Sequence, residues 1–214
     1  PYRNLETSDL VSMAMGGIMA SCGYDHIPDA PPIRCDGWMG YATGCNFGVI
    51  GTLTALVYSD LTEQGQWVDV SLLDGQVSLL TFQAGSYFAT GRSPQRIGNL
   101  HPMITPYETY RTADGQVIIA VGNEALWRKF CGVLEKPQLA SKPRFATSRL
   151  RVENRDALAA ILIPLIAERS TSYWLTALGE AGIPCGAVRS VGEVLEAPQV
   201  QAREMVLLVE HAAL

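Results

Sequence analysis

Residues 44–57 read Gly-Cys-Asn-Phe-Gly-Val-Ile-Gly-Thr-Leu-Thr-Ala-Leu-Val, and no other stretch constrains the fold as tightly. A helix over residues 40–58 is apolar on nearly all faces, which predicts deep burial. The run ends in the polar turn Thr62-Glu63-Gln64-Gly65. Residues 67–73 then alternate as a strand would, with Val68, Val70 and Leu72 on one face. From Asp74 a second apolar helix follows to Phe88 without a break. The order is therefore a buried helix, a tight turn, a strand and a connecting helix.

Upstream, Ser8-Asp9 can cap a helix through Leu10 to Met15 that ends near Gly16-Gly17. The small residues Ala14, Gly16, Gly17, Ala20, Ser21 and Gly23 would let backbone pack closely there. Residues 24–36 hold Pro28, Pro31 and Pro32 and are excluded from helix. Downstream, residues 107–112 and 116–121 flank Ala113-Asp114-Gly115. They predict a hairpin with the Asp-Gly pair at the positive-φ positions of its turn. Residues 124–134, 154–168 and 171–181 are amphipathic helices, the last closed by Gly182 before Pro184. Residues 183–188 should return to the hairpin as a strand, and residues 191–195 start a final short helix. The expected division is a first domain over 1–90 with its linking helix, a linker loop over 91–106 and a small α+β domain over 107–200. Residues 201–214 would begin a return to the first domain.

A net charge of −5 argues against nucleic acid or anionic membrane as a general partner, while a single phosphate site needs only a local patch. No apolar run approaches the ~20 residues of a membrane span. The opening Pro1-Tyr2-Arg3-Asn4 has neither a methionine nor a signal-type segment, so a soluble, cytoplasmic fragment is expected. Cys22, Cys35, Cys45, Cys131 and Cys185 form no Cys-x-x-Cys pair and are odd in number. They read as ordinary buried thiols of a reducing compartment. The three histidines, His26, His101 and His211, are too dispersed for a zinc site, so no metal is expected.

Two stretches carry candidate chemistry. In Arg96-Ile97-Gly98-Asn99-Leu100-His101-Pro102, Gly98 and Asn99 tolerate positive φ, so main-chain N–H groups can converge on an anion or oxyanion. The plain alternative is that Asn99 and His101 hydrogen-bond loop backbone at a domain junction. The second stretch is Asp36-Gly37-Trp38-Met39-Gly40-Tyr41, immediately before the apolar helix.

The helix, turn, strand and helix order, together with the Gly-Asn-x-His-Pro loop leading to Pro106-Tyr107 and an Asp-Gly hairpin, resembles the class III CoA-transferase family. That family includes formyl-CoA transferase, carnitine CoA-transferase and the α-methylacyl-CoA racemase branch. The resemblance implies an α/β fold. A partial large Rossmann-like domain would be joined by a helix and linker to a small α+β domain with an antiparallel sheet. It also implies interlocked homodimers, acyl-CoA and a small carboxylic acid as substrates, and no tightly bound cofactor. Only the middle and later part of the family is covered. The upstream region with the basic CoA-phosphate contacts has no counterpart here.

In the transferases, an aspartate just before the buried helix attacks the acyl-CoA carbonyl and then carries CoA as a thioester. Counting back from Gly51-Thr52-Leu53-Thr54-Ala55-Leu56 places that position at Tyr41. Tyrosine cannot form the mixed anhydride. A phenol with a reference pKa of ~10 can instead donate a hydrogen bond to a developing oxyanion. Asp36 would supply a carboxylate only if the loop folds differently, and a packing tyrosine with a capping aspartate is the plain alternative. The family's substrate loop falls on Gly98, Asn99 and His101. A stretch touching CoA falls on Thr7 and Ser8, where Ser8 also suits a simple N-cap. The racemase branch uses a histidine where Ser8 stands and the aspartate where Tyr41 stands, and neither exchanges an α-proton readily near neutral pH. Glu124 matches a glutamate of that branch, or complements a helix dipole. The expectation is transfer of CoA between an acyl-CoA and a carboxylic acid. The alternatives are a truncated or non-catalytic paralogue acting as a structural or binding subunit, and a racemase-type isomerase.

Overall fold

A computed structural model describes residues 2, 4–35 and 37–210, and the chain divides into two compact units after Gly98. The first unit is helical: α1 (Asp9–Met15), α2 (Ile18–Ser21), α3 (Met39–Thr62), α4 (Leu72–Ser78) and α5 (Thr81–Thr90). Helices α1, α3 and α4 pack together around small residues. Gly40 of α3 meets α1 so closely that a Cβ there would strike the Ser12 hydroxyl. Gln76 of α4 is fully buried, and its amide donates to the Met39 carbonyl at 3.1 Å and to Thr43 Oγ1 at 3.0 Å. These two bonds from the buried Nε2 fix the start of α3 against α4, because an unpaired buried N–H is costly.

Three expectations for this unit need correction. Residues 67–71 form no strand: Trp67 is 90% exposed, and no strand lies beside the segment among the described residues to complete a ladder. The helix expected from Asp74 starts two residues earlier and is split in two, with Thr81 at φ 35° after the break. The long helix α3 is present but not deeply buried. Only Gly40 and Gly44 are enclosed, while Phe47, Ile50, Leu53, Leu56 and Val57 remain exposed. Among the described residues, the β pairing of this unit is one isolated antiparallel bridge between Tyr24 and Ile97.

The second unit follows the expected α+β plan. Strands β1 (Tyr107–Arg111), β2 (Gln116–Ala120) and β3 (Cys185–Ala187) form one antiparallel sheet in the order β1-β2-β3. Val117 and Ile119 point into the core while Gln116 and Ile118 face outward, the period-2 signature of a half-covered sheet. Helices α6 (Glu124–Val133), α7 (Ser148–Glu153), α8 (Arg155–Ala167) and α9 (Thr171–Glu180) surround it, with 3₁₀ turns at Pro137–Leu139 and Pro143–Phe145. Trp127, Phe130, Phe145, Leu158, Leu162, Ile166, Trp174 and Leu178 fill the core. The helix over 191–195, α10 (Val191–Leu195), carries a Ser190–Glu193 capping box and is followed by a further helix, α11 (Pro198–Ala202).

The hairpin register holds, pairing Arg111 with Gln116, but its turn works differently from the expected one. Neither Asp114 nor Gly115 has a positive φ. Thr112 N donates to the Gly115 carbonyl at 3.0 Å, and Asp114 Oδ1 accepts from Thr171 N at 2.7 Å and from Thr112 Oγ1 at 3.2 Å. The aspartate thus ties the turn to the start of α9, and those bonds hold its carboxyl below the usual carboxylate range. Among the described residues, no helix is long and apolar enough to cross a membrane.

Candidate functional site

The head of α3 is held by a residue of α1. Trp38, the residue before the helix, is left-handed (φ 56°, ψ 47°) and its side chain makes no capping bond. The cap comes instead from Asp9, whose Oδ1 accepts from Gly40 N at 2.8 Å and Tyr41 N at 3.1 Å. A carboxylate on two first-turn amides satisfies donors that lack partners within the helix and complements its dipole. Ser8 stands at the N-cap of α1 in extended conformation, but its side chain makes no capping bond. The sequence marks Asp9 only as part of a local cap at the start of α1. Its actual bonds span 31 and 32 positions in sequence, which no local pattern reveals.

Tyr41 is 40% exposed, and its ring meets Trp38 edge-on at 5.9 Å. Among the described residues its hydroxyl makes no hydrogen bond. Asp36 lies outside the described residues. Thr7 is exposed, and its hydroxyl reaches only the neighbouring Ser8 carbonyl at 3.5 Å.

Gly98 has φ 63°, and a Cβ there would run into the Tyr24 ring. Its N–H donates to the Gly23 carbonyl at 2.8 Å, so this amide is committed within the first unit. Asn99 belongs to the second unit and lines an open hollow of about 370 Å³ with Tyr107, Glu108, Thr109, Gln116, Ile118 and Val188. His101 N donates to the Tyr107 carbonyl, and its Nδ1 accepts from Met103 N at 3.1 Å, leaving Nε2 as the protonated nitrogen. Burial, and then the charge of Arg155, push the imidazole below its ordinary value, so it is neutral at physiological pH. Arg155 donates to the His101 carbonyl at 2.6 Å and pins the loop.

Two charged residues here escaped the sequence reading. Glu108 is half-buried on the inward side of β1, where Tyr110 donates to its Oε1 at 3.1 Å, and burial pushes its carboxyl up. The available signal was an acidic residue in register with the inward Tyr110. Arg151 is fully buried: Nε donates to the Thr105 carbonyl at 3.0 Å, Nη1 to the Phe145 carbonyl at 3.2 Å, and the guanidinium lies over Trp127. Glu124 accepts from Ser148 N at 2.8 Å and approaches Arg151 Nη2 at 3.8 Å. The bond from Ser148, first, holds its carboxyl below the ordinary range. It therefore joins two helices of the unit rather than offering a base.

Among the described residues, no group of three or more His, Cys, Asp or Glu side chains could hold a metal ion. The thiols are less dispersed than their spacing suggested: only Cys131 is buried, and Cys22 and Cys35 lie with their sulfurs 3.1 Å apart.

The model of CoA-transferase family III matches residues 1–213. The acetyl-CoA:oxalate CoA-transferase of Acetobacter aceti is 34% identical over 97% of this chain and 53% of its own length. The human succinyl-CoA:glutarate CoA-transferase is 31% identical over 95% of this chain and 46% of its own. Among solved structures, a CaiB/BaiF family protein from Brucella suis superposes with a TM-score of 0.79 at 36% identity, covering 96% of this chain and 53% of that one. A Mycobacterium tuberculosis protein shares the fold with a TM-score of 0.84 at 22% identity, over 98% and 54% of the two chains. The chain spans about half the length of these relatives.

Proposed function

This chain belongs to CoA-transferase family III, and from that premise we propose that the protein moves CoA between an acyl-CoA thioester and a small carboxylic acid. The two units are then part of the large domain and the small domain. The protein is a cytoplasmic homodimer that needs no tightly bound cofactor. Relatives named for oxalate and glutarate make short dicarboxylic acids the first acceptors to try.

The observation that carries the chemical reading is Tyr41 at the head of α3. It is partly exposed, it is oriented by the Asp9 cap on its own amide, and its phenol has no partner among the described residues. At that position a phenol donates a hydrogen bond to the oxyanion that forms when a carboxylate adds to the thioester carbonyl. The acceptor acid itself can supply that carboxylate. Its oxygen bonds to the acyl carbon, the C–S bond breaks, and a mixed anhydride and CoA thiolate result. The thiolate then attacks the acceptor's carbonyl, giving the new thioester and releasing the original acid. Asp36 is the one carboxylate of the sequence reading that could replace the acceptor in the first step. Asn99 and His101 are assigned to substrate handling.

The test is Tyr41→Phe in the full-length protein. Loss of one oxyanion donor should slow turnover by ~10² to 10³. Acyl-CoA followed by hydroxylamine should leave position 41 unmodified. Modification of Asp36 would return the chemistry to a side-chain nucleophile. A silent Tyr41→Phe with no adduct would make Tyr41 a packing residue.

A further inference from the structure

The sulfurs of Cys22 and Cys35 lie 3.1 Å apart although the residues are thirteen positions apart in sequence. Both are partly exposed, while Cys131 is buried and Cys45 lies out on α3. The segment between the two cysteines is stapled at several points. Ile33 N donates to the Cys22 carbonyl at 3.1 Å. Arg96 binds Asp25 through its amide at 2.9 Å and its Nε at 2.6 Å, and donates to the Ala30 carbonyl at 2.9 Å. Gly98 N donates to the Gly23 carbonyl, next to Cys22. These bonds fix the ends of the segment and its middle, so the meeting of the two thiols is built into the loop.

We propose that Cys22 and Cys35 are a redox modification site, which a low-molecular-weight disulfide converts to one intramolecular disulfide. In the first step one of the two sulfurs gives up its proton to solvent and attacks one sulfur of the small disulfide, forming a mixed disulfide and releasing one thiolate. The other sulfur gives up its proton to solvent and attacks the cysteine sulfur of the mixed disulfide, releasing the second thiolate. The two cysteines lose two electrons and two protons, and the small disulfide is reduced to two thiols. Burial, and then the hydrogen bond with Cys35, push the Cys22 thiol up to about 11. The product ties down the segment that leads into Trp38 and the head of α3, and it stands independently of the transferase reading.

The experiment treats reduced full-length protein with oxidised glutathione, then counts free thiols in denaturant and maps non-reduced tryptic peptides. Trypsin cuts after Arg34 and so separates Cys22 from Cys35. The expected result is the loss of two titratable thiols, a cross-link between those peptides with no retained glutathione, and full reversal by dithiothreitol. Fragment ions must place the bond on Cys35 rather than Cys45, which shares its peptide. Cys35→Ser should stop at a glutathione adduct or leave Cys22 free. Two free thiols, separate glutathione adducts on Cys22 and Cys35 in the unsubstituted protein, or a cross-link to Cys45 would each overturn the proposal.

Discussion

Asp9 and Glu108 show how one carboxylate takes different roles according to what faces it. Asp9 accepts two amide hydrogens at the head of α3. Its replacement by alanine should cost about 1 kcal/mol, the usual loss for a helix cap, while asparagine, which keeps an acceptor oxygen, should cost less. Urea denaturation of both variants checks the order, and equal losses would remove Asp9 from the cap. Glu108 sits against Tyr110, with Arg155 and Thr105 also acting on it, and burial is the largest influence. Its folded pKa lies above the ordinary 4.5, so the folded state binds the proton more tightly than the unfolded chain does. Its contribution to stability is therefore fully present below pH 4.5 and lost as pH rises through the raised value. Glu108→Gln keeps the acceptor for Tyr110 and should raise the melting temperature near pH 8, with the gain vanishing below about pH 4. A gain that persists in acid would contradict this. Neither environment was legible beforehand: Asp9's partners are remote in sequence, and a strand's period marks a facing direction but not the depth of burial.

At the scale of elements, legibility followed locality. The helices α6, α8 and α9, the β1–β2 register and the return of β3 rest on periodicity, caps and Gly182, all readable within a few residues. Residues 67–71 failed because alternation signals a strand only where a neighbouring strand completes the ladder. The burial of α3 failed because an all-round apolar helix states a demand for cover and not where the cover comes from. The hairpin turn was placed correctly for an incorrect reason, since Asp114 acts through Thr171 and Thr112 rather than through positive φ. Asp114→Ala should therefore cost about 1 kcal/mol even though Gly115 is retained. Hydrogen exchange should show Tyr107–Arg111 and Gln116–Ala120 protected together. Independent protection of the two strands, or a silent Asp114→Ala, would separate turn from register.

The two units differ as whole bodies. The second has a continuous core around Trp127, Phe130, Leu162 and Trp174, and residues 99–210 expressed alone should melt cooperatively. The first exposes Leu53, Leu56 and Leu61 along α3, Leu61 at 79%, and residues 1–98 alone should bind a hydrophobic dye and associate. A cooperative, dye-free melt of residues 1–98 would show that α3 needs no cover. Tyr41 and the loop with His101 are candidates read from the sequence, while the Asp9 cap, the Arg155 pin and the Cys22–Cys35 meeting are visible only in three dimensions. Isotope exchange in the full-length protein reads CoA transfer itself. The protein is mixed with an acyl-CoA and an excess of ¹³C-labelled free acid, oxalate, succinate, glutarate and mesaconate in turn, and the thioesters are weighed by mass spectrometry. The expected product is a labelled CoA thioester of at least one acid, formed while total thioester stays constant. Thioester that is only hydrolysed, or left untouched with every donor and acceptor, would contradict it.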